Sequence, residues 1–208
     1  IRHPMRLCIH GHFYQPPREN PWIGEIEAQE SAAPHHDWNQ RIARECYAPN
    51  GSSRLLDHWG RIRGLVNNYR YLSFNFGPTL LDWIEKHDRD TMERILEADR
   101  LSRADQAGHG NAIAQVYNHT IQPLGTKRDR QTQIKWGLRD FKSRFGRDSE
   151  GIWLAETGIN MDTVVDLIEA GVKYTILAPT QAARVRHLDH DEWKDVSDQS
   201  VDPGRPYR

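Results

Sequence analysis

Apolar positions recur along this chain with two different periods, and the switches between them divide it into strands and helices in alternation. The run Met5-Arg6-Leu7-Cys8-Ile9-His10 predicts a short strand that leads into the turn-prone, aromatic Gly11-His12-Phe13-Tyr14-Gln15-Pro16-Pro17. Residues 18–52 carry no sustained period and are rich in Pro, Asn, Glu and His, which predicts a long loop. Leu55, Trp59, Ile62 and Val66 then fall at spacings of four, three and four, predicting a helix over residues 54–68 capped by Ser53.

Residues 71–76 alternate and read as a second strand, stopped by Gly77-Pro78. Helices are expected over 79–87 and 90–106, followed by an extended segment at 111–116. A further helix over 129–145 has Gly146 just past its end as a C-cap. The strand Gly151-Ile152-Trp153-Leu154-Ala155-Glu156 comes next, then a helix over 163–170 that Asp162 opens and Gly171 stops. The almost wholly apolar residues 172–178 predict a parallel strand buried on both faces. Such alternation implies an α/β fold with parallel strands and crossover helices, either a doubly wound sheet or a (β/α) barrel.

Composition narrows the partners. The 208 residues include 28 Lys and Arg against 29 Asp and Glu, a net charge of -1, so the electrostatic reason to expect nucleic acid or anionic membrane is missing. No apolar run approaches the roughly 20 residues that span a bilayer, and the first residues lack the pattern of a signal peptide. Two cysteines, Cys8 and Cys46, suit a reducing compartment, with the cytoplasm as the default. The expected partner is therefore a neutral small molecule or polymer.

Polar residues fit for chemistry sit at or just past predicted strand ends: His10, His12, Asn75, His119 and Glu156. That is the active-site face of a (β/α) barrel. Two imidazoles separated by one small residue, as in His10-Gly11-His12, suit a metal or a set of hydrogen bonds to sugar hydroxyls. The third ligand that a metal needs would have to come from the scattered His35, His36, Asp37, His109 or His119. Histidines bonded to backbone at a strand end explain the same residues. Glu156 beside an indole suits a nucleophile or base, with Trp153 or another tryptophan such as Trp22 stacking on a sugar face, and it equally suits a capping or salt-bridged Glu. Gly108-His109-Gly110-Asn111 matches neither a dinucleotide fingerprint nor a P-loop, and no Gly-x-Ser-x-Gly elbow occurs.

Three stretches in order resemble glycoside hydrolase family 57. His10-Gly11-His12-Phe13-Tyr14-Gln15-Pro16-Pro17 is similar to its first motif, one residue longer than the common form. Gly108-His109-Gly110-Asn111 through Gln115, Tyr117-Asn118-His119 and Pro123-Leu124 resembles the second, Gly-His-type motif. Gly151-Ile152-Trp153-Leu154-Ala155-Glu156 resembles the third, whose Glu is the catalytic nucleophile. The resemblance implies an incomplete (β/α)7 barrel, of which this chain is the N-terminal portion, acting on α-glucan-like poly- or oligosaccharide by hydrolysis or transfer with retention.

On that resemblance Glu156 attacks, and His10, His12, Gln15, Trp22, Asn75, His109, His119 and Trp153 bind substrate. No metal or cofactor is expected, and the acid/base Asp is expected beyond residue 208. Two alternatives remain open: a metal-dependent polysaccharide deacetylase, whose usual paired Asp is absent near the first strand, and a non-catalytic glycan-binding domain.

Overall fold

The computed structural model describes residues 7–205 and Tyr207. The first strand, β1 (His10–Phe13), begins where the sequence pattern ends it; Met5 and Arg6 lie outside the described residues. His10 and His12 are therefore strand residues with side chains on one face, and Gly11 between them points to the other. There a Cβ would come within 2.6 Å of the Phe13 ring, so only glycine fits.

Residues 18–52 are less of a loop than their composition implies. A 3-10 turn (Glu30–Ala32), α1 (Trp38–Ile42), a π-turn (Ala43–Tyr47) and α2 (Ala48–Gly51) run almost continuously. Asp37 caps α1 by accepting from the Gln40 amide at 2.9 Å, and Ala32, Asp37, Asn39, Ala43 and Tyr47 are buried. Pieces this short cannot display a helical period.

The helix expected over 54–68 is a hairpin, β2 (Ser53–Leu56) paired antiparallel with β3 (Ile62–Val66). Asp57 accepts from the amides of Trp59 and Arg61, and Gly60 takes φ +77, a conformation that suits a tight turn and not a helix. Leu55, Trp59, Ile62 and Leu65 are exposed, so no core face imposed the helical spacing.

From β4 (Ser73–Phe76) to residue 170, the pattern and the structure agree closely. α3 (Pro78–His87) starts on a proline at its first turn, and Asp88 caps α4 (Arg89–Asp105) through the Thr91 amide. After β5 (Ala114–Gln115), α5 (Lys127–Phe145) opens with a Thr126–Asp129 capping box and closes on Gly146 at φ +66. β6 (Gly151–Trp153) leads to α6 (Met161–Glu169), which Asn160 caps, two residues ahead of the expected Asp162. The buried Arg130–Asp166 pair at 2.7 Å fastens α5 to α6.

β7 (Tyr174–Thr175) is two residues long, and Tyr174 is 46% exposed, so the strand expected to be buried on both faces is instead a short edge. A small antiparallel pair, β8 (Arg184–Val185) with β9 (Lys194–Asp195), follows.

β1 pairs parallel with β4, β5 with β6, and β6 with β7. A parallel bridge between Phe74 and Ala112 links the two groups, so the strands lie side by side in chain order β1-β4-β5-β6-β7. Phe74, Phe76, Leu80, Ile84, Ile95, Ile134, Ile152 and Leu154 belong to one core cluster that strands and helices share. Among the described residues no helix is long and apolar enough to cross a membrane.

Candidate active site

Strands β1, β4 and β6 and the loop after β5 bring His10, His12, Asn75, Trp153 and His119 into one cluster. His12 stands opposite Asn75 across β1 and β4, and Gln115 opposite Trp153 across β5 and β6. Five rings lie nearly parallel: Trp153 stacks on His10 at 5.3 Å and on His12 at 4.5 Å, His12 on His119 at 5.2 Å, and His119 on Tyr14 at 3.9 Å.

Hydrogen bonds join the same groups. His10 bonds to the Ser73 hydroxyl at 2.9 Å and, through Nε2, to Asn75 Oδ1 at 3.0 Å. The fully buried Asn75 donates from Nδ2 to Gln115 Oε1 at 2.7 Å and to His12 Nδ1 at 2.9 Å. His12 Nε2 lies 3.2 Å from His119 Nε2. Burial is the main force pushing the His12 pKa down to about 4, against the raising effect of the Asn75 Oδ1 oxygen 3.3 Å from its Nδ1. Burial lowers His10 and His119 as well. All three rings are therefore neutral near pH 7.

Glu156 lies in the short turn Ala155–Thr157 that ends β6, and its side chain is exposed. Three residues after Trp153, its carboxylate works against burial by raising the pKa of both His12 and His119. The backbone there is unusual. Glu156 (φ 53, ψ 24) and Thr157 (φ 54) occupy the left-handed region, as does His119 (φ 53) past the end of β5. Non-glycine residues in sparsely populated regions cost about 1–3 kcal/mol each and persist where the surroundings over-determine them, which is common at ligand sites.

Two buried donors at the strand ends, Gln115 Nε2 and Trp153 Nε1, have no hydrogen-bond partner among the described residues. Buried polar atoms are normally paired, so these are positions for a ligand or water oxygen. Among the described residues, no group of three or more His, Cys, Asp or Glu side chains is arranged to hold a metal ion.

Other residues expected at the site are placed elsewhere. His109 precedes β5 at the opposite edge of the sheet, where it bonds Glu150 at 2.7 Å. Its neighbours explain the Gly-His-Gly-Asn motif structurally: Asn111 donates to the Arg70 carbonyl at 2.6 Å, and a Cβ on Gly110 would overlap Asp99 and Arg147. Trp22 is 91% exposed, its amide bonded to the Asn20 side chain, and it joins none of the ring stacks of the cluster. Gln15 acts as a strut, donating to the Tyr47 hydroxyl at 3.2 Å and accepting from Arg18 at 2.8 Å. His36 and Asp37 bond each other and line a separate cavity of about 600 Å³ with Trp83 and His87.

Ser73, Gln115 and Tyr14 complete the cluster although none was among the expected site residues. Gln115 had a readable signal, since it ends a short apolar run at a strand end, as Asn75 and Glu156 nearly do.

Residues 7–208 match the sequence profile of Glycosyl hydrolase family 57. The chain belongs to this family. Among curated family relatives, it is 27% identical over 106 residues to the 4-alpha-glucanotransferase of Thermococcus litoralis and 26% identical over 107 residues to Alpha-amylase 1 of Dictyoglomus thermophilum. Each match covers 51% of this chain and 15% of the relative.

The fold is similar to the crystal structure of the same T. litoralis 4-alpha-glucanotransferase, with a TM-score of 0.55 at 18% identity, covering 83% of this chain and 22% of that one. It is also similar to an exo-type maltose-forming amylase of Pyrococcus sp. ST04, with a TM-score of 0.56 at 16% identity, covering 82% and 28%. At these identities the structural likeness speaks for the family's α/β architecture, with its parallel strands, and for nothing finer.

Proposed function

We propose that this chain forms the N-terminal part of a family 57 catalytic barrel that cleaves or transfers α-glucan-like oligosaccharide with retention of configuration, and that Glu156 is its nucleophile. The observation that carries the reading is Glu156 itself: an exposed carboxylate on strained left-handed backbone, just past the end of a parallel strand, whose charge acts on the neutral His12 and His119.

Strand order supports the barrel. Parallel strands adjacent in chain order are what a barrel wall requires, whereas a doubly wound sheet reverses order at a switch point. The edge on which His12, His119 and Glu156 converge is the edge where barrel enzymes carry their chemistry.

In the proposed reaction the Glu156 carboxylate attacks the anomeric carbon, and a second carboxyl about 5–5.5 Å away protonates the departing oxygen and then activates water or an acceptor hydroxyl. We place that second carboxyl beyond residue 208. Neutral imidazole and amide donors suit the hydroxyls of an uncharged sugar, and the buried N–H groups of Gln115 and Trp153 are further donors facing the same strand ends. With both cysteines free, a cytoplasmic protein is proposed.

The test is incubation of the full-length protein with maltoheptaose, following product lengths and the anomer first formed by proton NMR. Shortened or redistributed chains with the α-anomer formed first are expected. No action on α-glucans, or a β-anomer formed first, overturns the reading.

A further inference from the structure

We infer that Asn75 is a positioning residue that fixes the tautomers of His10 and His12, giving the hydrogen-bond chain through the cluster a single direction. The argument starts at Gln115. Its Oε1 is an acceptor only, so the 2.7 Å contact requires Asn75 Nδ2 as donor, and the amide is thereby oriented. His12 Nδ1 lies 2.9 Å from Asn75 Nδ2 and 3.3 Å from Asn75 Oδ1; the shorter contact takes the second Nδ2 hydrogen, so Nδ1 accepts. A neutral His12 then carries its proton on Nε2 and donates it to His119 Nε2 at 3.2 Å.

On the other side Asn75 Oδ1 accepts from His10 Nε2 at 3.0 Å, leaving His10 Nδ1 to accept from the Ser73 hydroxyl at 2.9 Å. Every bond in this chain follows from one amide orientation. It leaves His119 with its proton on Nδ1, at the end of the chain. One amide thereby sets which nitrogen is protonated in all three rings.

Asn75 is suited to this task by being fully buried and held across β1, β4 and β5 at once. Aspartate in its place could only accept, so it would draw a proton to His12 Nδ1 and require the Gln115 amide to turn its Nε2 toward it. That reverses the His12–His119 bond while keeping the size of the side chain.

The consequence for catalysis rests on the function proposed above, but the proton positions do not. Neutron diffraction from deuterated crystals of the full-length protein decides them. Deuterium is expected on Nε2 of both His10 and His12, and on neither Nδ1; deuterium on His12 Nδ1 overturns the inference whatever the activity. In Asn75→Asp the deuterium is expected to move to His12 Nδ1 and turnover of maltoheptaose to fall about tenfold or more, as for a misdirected imidazole. A moved proton with unchanged turnover overturns the positioning role.

Should that variant not fold, Ser73→Ala serves instead: His10 is expected to keep its Nε2 proton because Asn75 dictates it, and a switch to Nδ1 contradicts that. A wild type with the expected protons but no action on glucans contradicts the proposed function alone.

Discussion

At the N-terminal edge of β5 and β6, Asp99 and Arg147 lie buried as a bidentate pair at 2.7 and 2.9 Å. Arg147 also donates to the Ala112 carbonyl, and Asp99 accepts from the Ala112 amide. At the C-terminal edge of the same strands, two buried donors lack partners, three residues are held in left-handed backbone, and a carboxylate is exposed. Both edges carry a histidine near glycine and a glutamate. The difference is that one edge closes its polar groups on each other, which stabilises the fold, and the other leaves them open, which costs stability and suits a ligand.

Substitution separates the edges, and the largest effect is expected at the open one. Glu156→Gln should lower α-glucan turnover about 10³-fold or more, because the nucleophile is lost, while leaving the melting temperature nearly unchanged since the side chain is exposed. Assay and calorimetry on the same preparation check both halves. Unchanged turnover would remove the contrast between the edges.

At the closed edge Asp99→Ala should do the opposite. It strands a buried guanidinium, which costs about 3–5 kcal/mol of folding stability, measurable as a lower urea midpoint. A cost below about 1 kcal/mol would mean that this edge is not the structural one.

Acid gives a smaller, graded effect at the open edge. His12 is pushed down to about 4, chiefly by burial, from the ~6.5 of free imidazole, and His10 and His119 shift the same way. The unfolded chain therefore binds more protons between these values, and stability falls as pH drops from about 6.5 towards 4. Urea midpoints at pH 7 and pH 5 should show the loss, and a midpoint that rises on acidification contradicts neutral histidines.

Least of all should His109→Ala matter. Its pair with Glu150 is exposed, and such pairs contribute about 0–1 kcal/mol. Turnover should stay at the wild-type level, and a drop of tenfold would return His109 to the site.

Much of this arrangement was legible in the sequence where a strand or helix packs against the core. Helices α3 to α6 announce themselves by caps and by one apolar face, and Glu156 by its position after Trp153-Leu154-Ala155. The pattern failed where no core acts on it. Leu55, Trp59, Ile62 and Leu65 stand exposed on a two-stranded ribbon, so their helix-like spacing had no packing consequence, and Asp57 with Gly60 decided the turn.

The motif around His109 misled for a related reason. Its glycine makes room for a buried ion pair that joins residues far apart in the chain, Asp99 and Arg147, and no local pattern displays that. Gln15, likewise, looks free in sequence until the fold brings Tyr47 and Arg18 to its amide.

The central claim, that the open edge holds a nucleophile at Glu156, is tested most directly by trapping. The full-length protein is treated with a 5-fluoro-α-glucosyl fluoride, digested, and the peptide covering residues 148–173 is sequenced by mass spectrometry. A glucosyl ester on Glu156 is the predicted result. A turning-over enzyme whose adduct sits on another carboxylate would contradict the account.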